Sequence, residues 1–112
     1  MRLFHEEIFG PVAALIRFNN EDEAVDAAND CDVGLASYVY TKDIGRAARV
    51  TETLQAGMVA LNTGVVSDAA APFGGVKQSG LGREGSKYGI DDYMSLKTVI
   101  TGNVNVQHRS HI

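Results

Sequence analysis

Cys31 is the only thiol in the chain, and so the only side chain that could attack a carbonyl group as a thiolate. A reactive cysteine needs a base or a positive charge beside it to lower the pKa of the thiol. No histidine lies close to Cys31 in the sequence. Three alanines precede it at helical spacing, at positions 24, 27 and 28. The pattern therefore favours a packed, unreactive thiol.

A second candidate for chemistry is the run Gly-Leu-Gly-Arg-Glu-Gly at residues 80–85, which satisfies the G-x-G-x-x-G phosphate-binding fingerprint. That fingerprint works when a strand leads directly into the turn and an acidic residue about 20 positions later holds the ribose. Here a loop is predicted before residue 80, and residues 98–105 contain no acid. The pattern therefore predicts a backbone turn that leads into a helix, and not a phosphate site.

Two histidines, His108 and His111, lie near the carboxyl end of the chain. A zinc site needs several Cys, His, Asp or Glu ligands, and no further residue of these types stands beside the pair. The sequence therefore predicts no metal site. Residues 108–112 are expected to form a tail.

Composition and charge limit the classes of function. The chain has 112 residues and a net charge of −4, with no basic tract, which argues against a general electrostatic grip on DNA or RNA. The longest wholly apolar run, residues 12–16, is far shorter than the roughly 20 residues of a membrane helix. The first residues do not resemble a secretory signal, and a single cysteine is consistent with a reducing compartment. We expect one globular domain at most, in the cytoplasm, with no nucleic-acid or membrane partner.

The first part of the chain predicts a strand followed by a helix. Residues 12–18 are apolar and partly β-branched, between Gly-Pro and Asn-Asn, which is typical of a buried strand. Asn20 is the expected N-cap of the helix, with Glu23 three positions later as an approximate capping box. Gly34 is the expected terminator of this helix. The predicted inward stripe of the helix consists of Ala24, Ala27, Ala28 and Cys31.

The same pattern repeats in the middle of the chain. A strand is predicted over residues 36–40, then a helix capped by Thr41 or Asp43 and closed by Gly57, then a strand over residues 58–62. The predicted inward face of this helix carries Ile44, Ala47, Ala48, Val50 and Leu54. Strands separated by helices of this length cannot be hairpin partners. The predicted fold class is therefore α/β, a partial doubly wound parallel sheet of order β-α-β-α-β with right-handed crossovers.

The last part of the chain predicts a loop, a short helix and a terminal strand. Residues 63–83 contain five glycines and a proline, with no helical or strand period, and are expected to form a long loop. Ligands of parallel sheets bind beyond the carboxyl ends of the strands, where this loop begins. A short helix is predicted over residues 84–93. The β-rich run at residues 96–106 is expected to seek a partner strand, since an exposed sheet edge needs a cover.

Four segments of the sequence resemble, in the same order, motifs of the aldehyde dehydrogenase superfamily. They lie at residues 6–12 (Glu-Glu-Ile-Phe-Gly-Pro-Val), 34–39, 57–62 and 72–80 (Pro-Phe-Gly-Gly-Val-Lys-Gln-Ser-Gly). The similarity covers about residues 4–101. Within the family, residues 62–67 and 80–93 most resemble the succinate-semialdehyde dehydrogenase branch.

The resemblance implies roles for four residues. Glu7 is expected to accept hydrogen bonds from the ribose beside the nicotinamide of NAD or NADP, and Phe9 to wall the nicotinamide ring. Ser67 is expected to hold the distal carboxylate of the substrate, and Phe73 to line the tunnel for the aldehyde. Without the resemblance, Glu7 and Phe9 would be surface charge next to core, Ser67 a turn-capping serine and Phe73 an anchor for its own loop.

The resemblance also implies what the chain lacks. The family oxidises an aldehyde through a cysteine thiolate, hydride loss to NAD(P)+ and hydrolysis by a water that a glutamate activates. In the family both groups precede the motif at residues 6–12, and Cys31 does not match the catalytic position. The expected organisation is residues 1–95 as the carboxyl-terminal part of the catalytic domain, residues 96–107 as a terminal oligomerisation strand and residues 108–112 as a tail. We therefore expect the carboxyl-terminal portion of an NAD(P)-dependent succinate-semialdehyde dehydrogenase that is inactive by itself.

Two other functions stay open. The chain could be a non-catalytic module that assembles with full-length dehydrogenase subunits through its last strand. It could also be a small-molecule binder that keeps the ribose contact, although half of a cofactor site would bind NAD only weakly. Through the terminal strand we expect a homodimer or a larger assembly.

Overall fold

The computed structural model describes Arg2 and residues 6–104. Two α-helices, four short strands and a 3-10 helix follow one another within these residues. Their bounds are α1 (Glu21–Asn29), β1 (Val33–Gly34), β2 (Ala36–Val39), α2 (Ile44–Thr53), β3 (Met58–Leu61), β4 (Val76–Lys77) and the 3-10 helix (Gly89–Tyr93). The arrangement confirms the predicted mixed α/β class.

The two-stranded sheet of β2 and β3 is parallel, and α2 is its crossover helix. Ala36 pairs with Met58 at one end and Val39 with Leu61 at the other, so both carboxyl ends lie at the same edge. The strand predictions over residues 36–40 and 58–62 are therefore confirmed to within one residue. A second, antiparallel pair joins β1 to β4, and no sequence pattern predicted it.

Helix α1 begins where its caps predict. The side chain of Asn20 accepts a hydrogen bond from the backbone N–H of Glu23, with 2.9 Å between Oδ1 and N. The Glu23 carboxylate in turn accepts from the backbone N–H and the side-chain amide of Asn19. These bonds lower the pKa of Glu23, the backbone bond most of all. Glu23 thus bonds to Asn19, the residue before the N-cap, and not to Asn20 as the predicted capping box implied.

The prediction for the end of α1 was wrong. The helix ends at Asn29 with Asp30 as its C-cap, and Gly34 instead lies buried in β1. A Cβ at Gly34 would lie 2.9 Å from the side chain of Val76 and would also strike the backbone of Gln55. Glycine is required there for close approach and not for ending a helix.

Helix α2 resolves the choice between its two candidate caps. Asp43 accepts a hydrogen bond from the backbone N–H of Arg46 at 3.0 Å, which lowers the pKa of the Asp43 carboxyl. Thr41 instead accepts from the N–H of Asp43. Leu54 is the C-cap of the helix, and Gly57 does not close it. Gly57 packs against the glycines at 74 and 75, where a Cβ would meet backbone atoms of both residues.

The hydrophobic core of the described residues is small. Its buried apolar side chains are Val25, Ala47, Met58 and Ala60, one from each of α1 and α2 and two from β3. The inward stripe predicted for α1 was wrong, because Val25 is buried while Ala27, Ala28 and Cys31 are exposed. On α2, Ile44 was predicted to face inward but is 83% exposed. The rest of the predicted face of α2 is confirmed at Ala47, Val50 and Leu54, which are buried or half-buried, and is wrong at Ala48, which is exposed.

Two predicted strands are absent from the described residues. Residues 12–18 and 96–104 have no strand partner, and their apolar side chains are exposed, as with Leu15 at 94% and Ile100 at 92%. A strand exists only with a hydrogen-bonding neighbour, and none reaches these segments. Residues 105 and 106, and the histidines at 108 and 111, lie outside the described residues. The helix predicted over residues 84–93 is shorter than expected, being the 3-10 helix alone.

The accessible surface of the chain is 9972 Å². A folded monomer of this length would expose about 6000 Å². The excess is consistent with the small core and with the exposed apolar segments. Among the described residues, no helix is both long enough and apolar enough to cross a membrane.

Candidate active-site walls

Ser67 and Phe73, the two predicted substrate-binding residues, line one cleft of about 250 Å³. Ser67 is exposed and Phe73 is half-buried. Their neighbours in the cleft are Asp68, Ala71, Glu84 and Gly85. The cleft thus combines a hydroxyl group, an aromatic ring and two carboxylates, all from residues 67–85.

Phe73 is held in place by a backbone pairing across its loop. Its N–H donates to the carbonyl oxygen of Glu84 at 2.9 Å, and the N–H of Glu84 donates back at 2.7 Å. These two bonds form an isolated antiparallel bridge that fixes the backbone on both sides of the ring. The loop predicted over residues 63–83 therefore contains ordered structure.

Arg83 ties the two arms of the same loop together. Its half-buried Nη1 donates to the carbonyl oxygen of Gly75 at 2.8 Å and to that of Gly82 at 2.6 Å. The backbone N–H of Arg83 donates to Oδ2 of Asp92 in the 3-10 helix, at 3.0 Å. A Cβ at Gly74 would lie 2.8 Å from Cδ of Arg83, so glycine makes room for this side chain. The run at residues 80–85 is thus a turn, as the sequence predicted, but a side chain holds it, and that arginine is the residue that sequence reasoning missed.

Ser67 follows the end of β3 along a turn that begins at Asn62. Asn62 has a φ of 55°, in the left-handed region that asparagine tolerates better than most residues. Thr63 Oγ1 accepts a hydrogen bond from the N–H of Val65 at 3.2 Å. On the far side of Ser67, Asp68 Oδ1 accepts from the N–H of Ala70 at 2.7 Å. Local turns on both sides therefore position this hydroxyl group.

The two predicted cofactor-binding residues lie elsewhere. Glu7 lines a separate cleft of about 820 Å³ beside the carboxyl end of α1, together with Gln78 and Ser79. Phe9 is 93% exposed. The structure therefore brings Ser67 and Phe73 together and places Glu7 in a different cleft.

Cys31 was predicted to be packed, and that prediction was wrong. It is an exposed free thiol just beyond the end of α1, in the same cleft as Glu7. Its Sγ donates to the carbonyl oxygens of Val33 at 3.1 Å and of Ala28 at 3.6 Å. Within residues 6–104, no three His, Cys, Asp or Glu side chains are grouped so that they could hold a metal ion.

The ends of α1, α2 and β4 meet beside the cleft of Glu7. The side-chain amide of Asn29 donates to the carbonyl of Thr53 at 3.0 Å, and its oxygen accepts from the N–H of Gln55 at 2.8 Å. Lys77 Nζ donates to the carbonyls of Asn29 at 2.7 Å and Cys31 at 2.9 Å. A positive charge at the carboxyl end of α1 complements the helix dipole. These contacts hold in place the wall of the cleft that carries Cys31.

Comparison with known proteins gives the same assignment as the motifs. Residues 1–99 match the aldehyde dehydrogenase family. The chain is 58% identical over 105 residues to a 3-sulfolactaldehyde dehydrogenase of Pseudomonas putida, covering 94% of this chain and 22% of that protein. It is 60% identical over 99 residues to the NADP(+) succinate-semialdehyde dehydrogenase 1 of Schizosaccharomyces pombe, covering 88% of this chain and 20% of that protein.

A solved structure gives the same result in three dimensions. The crystal structure of succinate-semialdehyde dehydrogenase from Burkholderia pseudomallei superposes with a TM-score of 0.80 at 62% identity, over 83% of this chain and 19% of that one. The chain thus spans about a fifth of the length of the proteins it matches. The four motifs in the family's order, the fold and these matches together show that the chain belongs to the aldehyde dehydrogenase family.

Proposed function

We propose that this chain supplies the carboxyl-terminal walls of the active site in an NAD(P)-dependent succinate-semialdehyde dehydrogenase, which oxidises succinic semialdehyde to succinate. The observation that carries the proposal is the cleft shared by Ser67 and Phe73. An aromatic ring beside a hydroxyl donor suits a short aliphatic chain that ends in an anion.

The names of the relatives support a substrate with a distal anion. Succinic semialdehyde carries a carboxylate at the end opposite to its aldehyde, and 3-sulfolactaldehyde carries a sulfonate there. The exposed hydroxyl of Ser67 can donate one hydrogen bond to either group. Glu84 and Asp68 line the same small cleft, so a positive side chain from elsewhere in the enzyme must balance their charge when the anion binds.

The cleft of Glu7 fits one part of a nicotinamide cofactor. A carboxylate accepts hydrogen bonds from ribose hydroxyls, and the side chain of Gln78 adds a further donor and acceptor in the same cleft. In the proposed enzyme Glu7 would hold the nicotinamide ribose, and the exposed ring of Phe9 would lie against the nicotinamide. The bound cofactor supplies the hydride acceptor. Residues 6–9 contribute orientation, which confines the reactive ring to one face of the substrate.

The 112-residue chain by itself is proposed to be inactive. Its one thiol, Cys31, donates hydrogen bonds to two backbone carbonyls and lines the cleft of Glu7, not the cleft of Ser67 and Phe73. A nucleophile has to lie within reach of the aldehyde carbon that the cleft of Ser67 and Phe73 would hold. The thiolate and the general base are therefore proposed to belong to the part of the enzyme that this chain does not span.

A chimera tests the proposal. The 105 matched residues of the Pseudomonas putida enzyme are replaced by those of this chain, and the chimera is assayed for NAD(P)H formation from succinic semialdehyde. We expect turnover by the chimera and none by the 112-residue chain. Ser67→Ala should raise KM for succinic semialdehyde about tenfold, since it removes a hydrogen bond to an anion. Ser95→Ala, at an exposed position outside the cleft, is the matched control.

Three outcomes would contradict this assignment. They are a folded chimera that oxidises no aldehyde, an equal effect of the two serine substitutions, and turnover by the 112-residue chain that is lost in Cys31→Ala. The last result would place the nucleophile at Cys31.

The exposed apolar surface favours one alternative, a non-catalytic module that assembles with complete dehydrogenase subunits. Leu96, Val99 and Ile100 are each at least 75% exposed, as expected of a segment that pairs with another chain. Both functions predict that the tagged chain co-purifies with the untagged Pseudomonas putida enzyme through residues 96–100. The chimera distinguishes them, because turnover by the chimera would favour the catalytic part, and a folded chimera that assembles but oxidises no aldehyde would favour the module. The same segment is the proposed oligomerisation strand of the enzyme, whose proposed location is the cytoplasm.

A further inference from the structure

Asn62 closes the carboxyl end of the parallel pair with three hydrogen bonds. Its N–H donates to the carbonyl of Val39 at 2.8 Å. Its Oδ1 accepts from the N–H of Thr41, and its Nδ2 donates to the carbonyl of Thr41, both at 2.9 Å. The side-chain amide thus pairs with the Thr41 backbone as a further strand residue would, just beyond the end of β2.

The same contacts fix the direction in which the chain leaves β3. Asn62 is held with φ at 55°, which turns the backbone out of the sheet. The next glycine, Gly64, lies under Tyr40, whose hydroxyl would be 3.9 Å from a Cβ at that position. Both Tyr40 and Thr41 follow β2, so the end of β2 holds the start of the loop at two places.

The loop is also fixed beyond Ser67. The N–H of Ser86 donates to the carbonyl of Ala69 at 3.1 Å, and the bridge between Phe73 and Glu84 follows four residues later. Four residues, 63–66, separate the Asn62 clamp from Ser67. The position of the Ser67 hydroxyl relative to Phe73 is therefore set by two anchors, of which Asn62 is the one on the sheet.

We propose that Asn62 is a positioning residue that sets how far the Ser67 hydroxyl reaches toward the distal anion of the aldehyde. This inference rests on the proposed function, because it assigns the clamp to the binding of the anionic end. Asn62 does not line the clefts that contain Ser67 and acts through the backbone that it holds. Its loss should weaken the binding of an anionic aldehyde and leave a neutral aldehyde of similar length unaffected.

A simpler role for Asn62 would be to tolerate the left-handed backbone conformation. Glycine adopts that conformation with less strain than asparagine. If the φ angle were all that mattered, Asn62→Gly would leave substrate binding unchanged. If the clamp matters, the glycine variant keeps the φ angle but loses both side-chain hydrogen bonds. Asn62→Asp keeps an acceptor for the Thr41 N–H but places a carboxylate oxygen against the Thr41 carbonyl.

The experiment measures KM and kcat of the chimera for succinic semialdehyde and for propanal. For Asn62→Gly we expect KM for succinic semialdehyde to rise about tenfold, with kcat and both propanal constants within about twofold of the parent. Asn62→Asp should show the same split between the two aldehydes. Unchanged constants in Asn62→Gly, or an equal loss with both aldehydes, would overturn the proposal.

Amide hydrogen exchange separates a failure of this inference from a failure of the proposed function. The Thr41 amide is protected by the Asn62 side chain and should exchange faster in Asn62→Gly, as should residues 63–67. If no chimera oxidises an aldehyde, the proposed function fails, and exchange alone decides on the clamp. Faster exchange at Thr41 and residues 63–67 would then support positioning by Asn62, and unchanged exchange would overturn it. If Asn62→Gly does not fold, Asn62→Asp carries the same comparison.

Discussion

The unit at residues 20–62 and the segments that flank it are built from similar residues but form different structures. Within the unit, α2 packs on the parallel pair of β2 and β3, and the buried core lies there. The flanking residues 12–18 are as apolar and β-branched as β3, yet they form no strand. The difference is the neighbour and not the sequence. A segment adopts regular structure where its own chain supplies the face or the edge that it needs.

The comparison predicts that a single substitution at a buried position of the unit lowers its stability strongly. Ala47 on α2 is 4% exposed, while the next residue, Ala48, is exposed. Ala47→Asp should destabilise the unit by roughly 3 kcal/mol, because it places a carboxylate against the sheet. Ala48→Asp carries the same charge and helix propensity and should cost less than about 1 kcal/mol. Far-UV circular dichroism during urea unfolding measures both, and equal effects would mean that α2 does not pack as described.

The helix caps show what a sequence can predict by itself. Asn20 was identified from its type and spacing, and Asp43 was one of two candidates for its helix, because capping depends only on residues within one turn. The parallel pairing followed from the lengths of the connections. The inward stripe of α1 did not follow in the same way. Period alone leaves open which face finds a partner, and Val25 rather than the alanines does so.

The candidate site likewise has residues that the sequence predicted and residues that it did not. Ser67 and Phe73 came from motifs, and the structure places them in one cleft. The side chains that hold them, Asn62 and Arg83, act through backbone groups 21 and 8 residues away in the sequence. No local pattern connects such partners. Asn62 and the glycines around Arg83 are residue types that favour turns, and the sequence shows those types. It does not show the left-handed conformation of Asn62 or the contacts of the glycines.

The flanking segment should become as sensitive as the unit once a neighbour is supplied. Leu15 is 94% exposed in the chain. Leu15→Ala should therefore change the stability of the 112-residue chain by less than about 0.5 kcal/mol. In the chimera we expect the same substitution to cost about 2 kcal/mol, because residues 12–18 are then covered as a strand. Urea unfolding of both proteins tests this, and an equally small effect in the chimera would show that the segment never becomes a buried strand.

The turn at residues 80–85 provides an intermediate case, since it is ordered by side chains without a core. Gly82 has φ of +81° and contacts the Asp92 carboxylate, which a Cβ would strike. Gly82→Ala should cost about 1–3 kcal/mol, from backbone strain and the displaced carboxylate. At Gly80, φ is +111° and nothing lies within 4 Å of a Cβ, so Gly80→Ala measures the strain alone. Hydrogen exchange at Arg83 N–H should rise only in Gly82→Ala, and a rise in both variants would remove Asp92 from the explanation.

The smallest expected effect lies at the start of α1, where the unit depends on exposed charges. Glu21 accepts hydrogen bonds from Arg49 at 2.9 Å and from Arg46 at 3.1 Å. The two bonds from Arg49 above all, and then the one from Arg46, lower the pKa of Glu21 below its ordinary value of 4.5. The Glu21 carboxylate in turn raises the pKa of Arg49. Because the folded pKa lies below the unfolded one, this carboxylate stabilises the fold above pH 4.5.

That stabilisation should be lost as the pH falls below 4.5 and through the folded pKa of Glu21. Glu21→Gln should remove this part of the pH dependence and cause a small loss of stability at neutral pH, which shrinks as added salt screens the ion pairs of the parent. Asp22→Asn, which removes the same charge from the same turn, is the control. Thermal unfolding of helix α1 followed at neutral and acidic pH makes the comparison. If Glu21→Gln and the parent lose stability in parallel below pH 4.5, the ion pairs with Arg46 and Arg49 do not stabilise the unit.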